Sequence, residues 1–219
     1  HRQAPIVHTP PIILVDGVWV AIQYTQDAYR FDQAGHRRQC RHAEDRVILA
    51  AMAVWPDGRH HLLHYTIAVT EDADQWQRFF AELIARGLDP AALELVVSDG
   101  TKGLLAAMAQ RLPHAQQQRC ITHKVRGMQN YLSFQALPTH DDLGRPLATS
   151  AAKDLRLFQI QHDAYAIYEA LSLADAQARL DAFKRKWQPL EPAAVRHFTW
   201  GSKRTLAFYQ FAAALQCPD

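Results

Sequence analysis

An α/β fold with a mixed five-stranded sheet and flanking helices is what the sequence predicts. Three observations carry that reading. Runs rich in β-branched and aromatic residues follow one another at 11–25, 46–55 and 60–69; short strands then alternate with helical periodicity as far as residue 121; beyond Phe134 the pattern is mostly helical.

Taken in order, the first run contains Asp16-Gly17, so it is either one strand passing a functional or bulged position or two short strands about a turn. Pro56, Asp57 and Gly58 supply turn chemistry between the second and third runs, which makes those two a hairpin. Between Asp72 and Gly87, Trp76, Phe79, Phe80, Leu83 and Ile84 recur at three- and four-residue intervals, predicting an amphipathic helix with Asp74 as its cap and Gly87 as its stop. Residues 93–98 form a short buried strand. Leu104, Leu105, Met108 and Leu112 mark a second helix ending before Pro113, and a fifth strand at about 115–121 runs into His123. Residues 137–150 read as a loop, and 151–187 as two helices broken near Ser172, the second capped by Asp175 or a neighbour. Residues 193–215 read as one or two helices more. Three successive strands followed by alternating helix and strand match a ribonuclease H-like mixed sheet, which sets residues 1–135 apart from a loop and helical region at 136–219.

Composition excludes several classes. With 219 residues, 48% hydrophobic and 21% charged, the chain is neither disordered nor coiled-coil and can bury a sizeable core. Cys40, Cys120 and Cys217 are too few for a disulfide framework and favour a reducing compartment, so the cytoplasm is expected. No apolar run approaches the roughly 20 residues that cross a bilayer, and the first ten residues lack a signal-peptide core. The chain begins at His1 and stops at Asp219 after an apolar stretch, as expected of a fragment of a longer protein. Its formal charge is only +2, but basic residues cluster: Arg30, Arg37, Arg38, Arg41 and Arg46, then Lys184, Arg185 and Lys186, then Arg196, Lys203 and Arg204. Such clusters suit phosphate contacts or a solvated face. The Arg30–Arg46 segment has no apolar period and reads as a mobile loop able to meet a phosphate backbone.

Asp16 and Asp99 share one context: an apolar run delivers each carboxylate, and glycine follows. Strands about 4.8 Å apart can set two such groups side by side. Paired carboxylates bind hard divalent cations, and in nucleic-acid enzymes two ions about 3.5–4 Å apart activate the attacking oxygen and stabilise the leaving one. By pattern alone, an Asp-Gly also fits an ordinary turn.

Ser98, Asp99, Gly100, Gly103, Leu104, Pro113, Ala115, Gln118, Arg119, Cys120, His123, Lys124 and Arg126 stand in a single register within 95–128. That segment resembles the catalytic core of Mutator-type transposases of bacterial insertion sequences. The likeness continues upstream through Leu14, Asp16, Gly17, Gly58, Trp76, Leu83, Arg86, Gly87 and Leu88, and more loosely downstream through Trp187, Pro192 and Leu206 to Tyr209.

The resemblance implies a DDE transposase with a ribonuclease H-like fold and a helical insertion after the second catalytic Asp. Asp16 and Asp99 would be catalytic metal ligands for two Mg²⁺ or Mn²⁺ ions, with Cys120 and His123 near the reacting strand. Arg119, Lys124 and Arg126 would contact DNA, and Arg37, Arg38, Lys203 and Arg204 are basic residues placed to join them. The partners implied are double-stranded DNA, as element ends and target, and a second copy or more of the chain in the DNA complex, with no membrane and a nucleoid-associated location. The third acid, a Glu in a Thr-Thr-Asn-x-x-Glu stretch, has no counterpart here, and the family's usual Asn after the Arg is replaced by Gly127. Without the third acid the fragment is expected to be inactive alone.

Other readings stay open. Cys120 and His123 offer half of a zinc site, with Cys40 and His42 as a second pair in principle, or a core His beside a small apolar Cys. His60, His61 and His64 read as surface residues of a strand. Trp76 reads as core, while Trp200, beside Lys203 and Arg204, is the tryptophan placed for DNA contact. Two alternatives to the transposase reading are a non-catalytic DNA-binding or dimerisation module, and a ribonuclease H-like nuclease drawing its third carboxylate from Glu169 or Glu191.

Overall fold

β1 (Ile12–Phe31) is the spine of the sheet in a computed structural model that describes residues 4–141 and 143–211. It runs unbroken through Asp16 and Gly17, which pair with Ala50 and Leu49, so no turn falls there. β1 lies antiparallel to β2 (Arg37–Val54) and parallel to β4 (Leu95–Ser98), and β2 lies antiparallel to β3 (His60–Ala68). With β5 (Gln116–Arg119) the sheet is mixed and five-stranded, in the order β3-β2-β1-β4-β5.

The chain forms two compact units that divide at Gln116/Gln117. The division comes earlier than the change of character at 135/136, because α3 (Ile121–Gln129) sends Val125 and Met128 into the helical core. The first unit buries Ile13, Val15, Val47 and Leu49 of the sheet against α1 (Ala73–Ala85) and α2 (Lys102–Arg111). Trp76, Phe79, Phe80 and Leu83 form the buried stripe of α1, each contributing about 1.5–3 kcal/mol by burial. Its cap is Asp72 rather than Asp74: the Asp72 carboxylate accepts the Gln75 N–H at 2.9 Å.

Two expectations about the strands change. Leu63 is an extra residue in β3, because Met52 pairs with Leu62 while Ala51 pairs with His64. That bulge turns His64 from the outer face to the core, where it is 3% exposed, 2.7 Å from Glu82 Oε2 and tilted against the Phe79 ring at 4.9 Å. The Arg30–Arg46 segment is also not a loop. β1 and β2 continue past the sheet as a two-stranded arm about 30 Å long, paired from Val20↔Arg46 to Phe31↔Arg37. Its two faces are both solvated, so no apolar period marks it. The tip is tied by Asp32, whose carboxylate accepts N–H groups of Ala34, His36 and Arg38 at 2.9–3.0 Å.

The second unit holds α3, α4 (Thr149–Ala166), α5 (Leu173–Trp187), α6 (Pro192–Thr199) and 3₁₀ turns at Ser202–Thr205 and Ala207–Gln210. The strand expected to reach residue 121 stops at Arg119, and His123 lies on α3. Ser172, not Asp175, caps α5, its Oγ accepting the Asp175 N–H at 3.1 Å. Ile160, Phe183, Trp187, Val195 and Phe198 fill the core. No described helix is long and apolar enough to cross a membrane. Asp142, Cys217 and the last residues of the final expected helix lie outside the described residues.

Candidate active site

The parallel register Ile12↔Leu95, Ile13↔Val96, Leu14↔Val97, carried two residues further, sets Asp16 on β1 beside Asp99 just past the end of β4. Each carboxylate is anchored by one backbone N–H at 3.0 Å: Gly17 donates to Asp16 Oδ1 and Thr101 to Asp99 Oδ1. Both side chains are half-buried.

A third carboxylate joins them that the sequence did not single out. Glu71 precedes the cap of α1, and burial, the Asp99 charge and the Asp16 charge raise its pKa, in that order, against the indole N–H groups of Trp76 and Trp19. Its carboxylate lies directly on Gly17: a Cβ there would sit 2.7 Å from Glu71 Cδ. Gly17 is thus a glycine of close approach in mid-strand, and that was the available signal for Glu71. The Trp76 Nε1 is buried and points toward Glu71 without closing an ordinary hydrogen bond. None of the three acids forms a salt bridge among the described residues. Among those residues, no group of three or more His, Cys, Asp or Glu side chains is placed to hold one metal ion. This leaves the Cys120–His123 and Cys40–His42 pairs short of the four ligands of a structural zinc site.

The remaining candidates belong to the second unit or to the arm. Cys120 is a half-buried free thiol at the start of α3, while His123 and Arg126 are exposed on that helix. Arg119 is half-buried, with a buried Nε that has no hydrogen-bond partner. Lys124, expected at DNA, faces inward: it is 1% exposed, and its Nζ donates to the carbonyls of His197 and Trp200, each at 2.7 Å. At Gly127 the space of a side chain is taken by His197, whose Nε2 would be 3.2 Å from a Cβ. Trp200, Lys203 and Arg204 are exposed together, and Arg37 and Arg38 are exposed near the arm tip. Glu191 is 0% exposed and committed to Ser133, Phe134 and Arg156, so it is no spare acid for catalysis. Glu169 is exposed beyond the end of α4.

The family model for Mutator transposases matches residues 35–216. The chain belongs to the Mutator family of transposases. Among its relatives, the transposase for insertion sequence element ISRM5 of Rhizobium meliloti is 30% identical over 164 residues, covering 75% of this chain and 36% of that protein. The transposase for element IST2 of Acidithiobacillus ferrooxidans is 29% identical over 166 residues, covering 76% and 49%. The chain therefore spans half or less of the length of these relatives. A Drosophila P element transposase strand transfer complex aligns with 91% of this Mutator-family chain and 48% of its own, at 12% identity and a TM-score of 0.32.

The inward Lys124 has a measurable consequence in this Mutator-family chain. Burial first, and the Arg119 charge second, lower its pKa from 10.5 to about 8. Between those two values the unfolded chain holds the proton more firmly than the folded one, so this group makes stability rise with pH across that window. Urea unfolding from pH 7.5 to 10 is expected to show that rise for the native protein relative to Lys124→Met, in which the contribution is absent; parallel profiles would rule it out.

Proposed function

We propose that this chain is the catalytic portion of a transposase that cleaves DNA at element ends and joins the 3′-hydroxyl to target DNA by metal-dependent phosphoryl transfer. The observation that carries the proposal is the placement of Asp16 on β1 beside Asp99 just past the end of the neighbouring parallel strand β4, with no cationic side chain paired to either among the described residues. The strand order β3-β2-β1-β4-β5, with β1–β3 antiparallel and β4 parallel to β1, supports a ribonuclease H-like core.

The donor set fits Mg²⁺ or Mn²⁺: the ligands are hard carboxylate oxygens, and burial first, then the charges of Asp99 and Asp16, raise the pKa of Glu71 beside them. Asp16 and Asp99 would hold the ions, and what such ions supply when bound is Lewis acidity toward the scissile phosphate and its attacking and leaving oxygens. The two backbone N–H bonds fix one oxygen of each aspartate and orient the other. The basic arm and the exposed Trp200, Lys203 and Arg204 are the surfaces suited to duplex DNA and its phosphates.

In a plasmid-cleavage assay with Mg²⁺ or Mn²⁺, using the transposase polypeptide that carries this segment, Asp16→Asn or Asp99→Asn is expected to lower strand cleavage about a thousandfold. Salt-dependent DNA binding should persist in both. Cleavage that survives either change overturns the metal-site reading. DNA binding by an unaltered protein that neither cleaves nor takes up Mn²⁺ favours the non-catalytic module instead.

A further inference from the structure

We propose that Glu71 is the third carboxylate of this site, an outer-shell acceptor that orients the hydration water of a divalent ion held by Asp16 and Asp99, and that Gly17 is present to let it lie there. The inference rests on the metal-site reading above and adds a residue to it. Glu71 lies within the span matched by the family model but is not among the residues that carry the family resemblance.

The geometry is specific. All three atoms of the Glu71 carboxyl group lie 2.7–2.9 Å from where a Cβ of residue 17 would be, so the group is laid flat on the backbone immediately beside Asp16. Any side chain at 17 displaces it. Asp16 and Asp99 are the two charges that act on it, yet no lysine or arginine pairs with any of the three among the described residues. Three half-buried acids gathered without a counter-charge oppose one another unless something positive enters.

As the side chains stand, the three acids do not close around one point among the described residues. What remains is contact through water. Trp76 supplies the independent sign of a built position: its indole is 0% exposed, and its Nε1 is directed at the Glu71 carboxylate while making no ordinary hydrogen bond. A fully buried, uncharged donor beside the carboxylate favours its presence there without neutralising it. Outer-shell partners of this kind set metal affinity by about 10- to 100-fold.

Mn²⁺ titration followed by electron paramagnetic resonance, together with water-proton relaxation of the bound ion, tests this on the whole chain. Asp16→Asn is expected to abolish Mn²⁺ uptake. Glu71→Gln is expected to weaken it about 10- to 100-fold with an unchanged number of directly bound waters. Gly17→Ala, which retains every carboxylate but pushes Glu71 aside, is expected to weaken it similarly. A melting-temperature measurement on each variant separates loss of fold from loss of metal. Unchanged or tighter Mn²⁺ binding in folded Glu71→Gln, with binding lost in Asp16→Asn, overturns the role of Glu71 and leaves the two-aspartate site standing. One additional bound water in Glu71→Gln makes Glu71 a direct ligand and overturns the outer-shell assignment. An unaltered protein that takes up no Mn²⁺ removes the two-aspartate site and this inference with it.

Discussion

Glu191→Ala is expected to destabilise the helical unit by about 3–5 kcal/mol, the cost of stripping one partner from a buried ion pair. The carboxylate is fully buried and organises four donors. Oε2 accepts the backbone N–H and the hydroxyl of Ser133 at 2.6 and 2.8 Å, and Oε1 accepts the Phe134 N–H and Arg156 Nη1, each at 3.2 Å. Phe134 and Ala136 hold left-handed backbone angles of φ 53° and 48°, a strained turn that persists because Glu191 binds its N–H groups and Arg156 Nη2 binds the Ala136 carbonyl at 2.8 Å. Against a typical total of about 5–15 kcal/mol the loss is large. Urea unfolding should show it, with Glu191→Gln intermediate and the double change Glu191→Leu, Arg156→Met recovering part of it because no charge is then left buried alone. A loss below about 1 kcal/mol for Glu191→Ala, within the range of exposed pairs, would contradict this account.

DNA affinity is expected to fall about a hundredfold or more when Arg30, Arg37, Arg38 and Arg41 of the arm are all changed to Gln, with the slope of log affinity against log salt reduced by about 3 to 4. These side chains line one concavity at the arm tip with Thr25, Gln39 and Cys40. Arg30 faces Arg38 across the ribbon and Phe31 faces Arg37, so the arginines occupy both faces. Arg37 stacks on the Tyr29 ring at 3.7 Å, and Arg38 is held by Asp32 at 3.0 Å, so two guanidinium groups are positioned before any phosphate arrives. A two-stranded ribbon has dimensions that fit the major groove of B-form DNA. Because the arm adds nothing to the core, the fourfold variant should retain its circular dichroism and melting temperature. An unchanged salt slope would place the DNA contacts elsewhere, with the exposed Trp200, Lys203 and Arg204 next to be tested.

What was legible in the sequence is what side-chain periodicity encodes. The stripe of Trp76, Phe79, Phe80 and Leu83 located α1, the β-branched runs located the strands, and apolar delivery of Asp16 and Asp99 to the same edge pointed to a shared site. The arm escaped because a ribbon wet on both faces has no hydrophobic alternation; backbone pairing and the Asp32 tip hold it. Lys124 was expected at DNA because the family resemblance placed it there with Arg119 and Arg126, and only the fold reveals two carbonyls waiting for its ammonium. His64 changed faces through one surplus residue, which periodicity over a short strand does not register. Glu71 sits far along the chain from Asp16, and the sole trace of their meeting was a glycine without a turn to explain it.

The irregularity in the arm differs in parity from the one beside His64. Between Thr25 and Tyr29, β1 places Gln26, Asp27 and Ala28 against the single residue Cys40, so the surplus is even and the alternation of faces resumes in phase. A single added residue there would put everything distal to it, Tyr29 and Arg37 together, out of phase with the alternation before it, whereas residues added in pairs lengthen or bend the ribbon silently. The reach of the arm is thereby free to drift in two-residue steps while its chemistry stays aimed the same way.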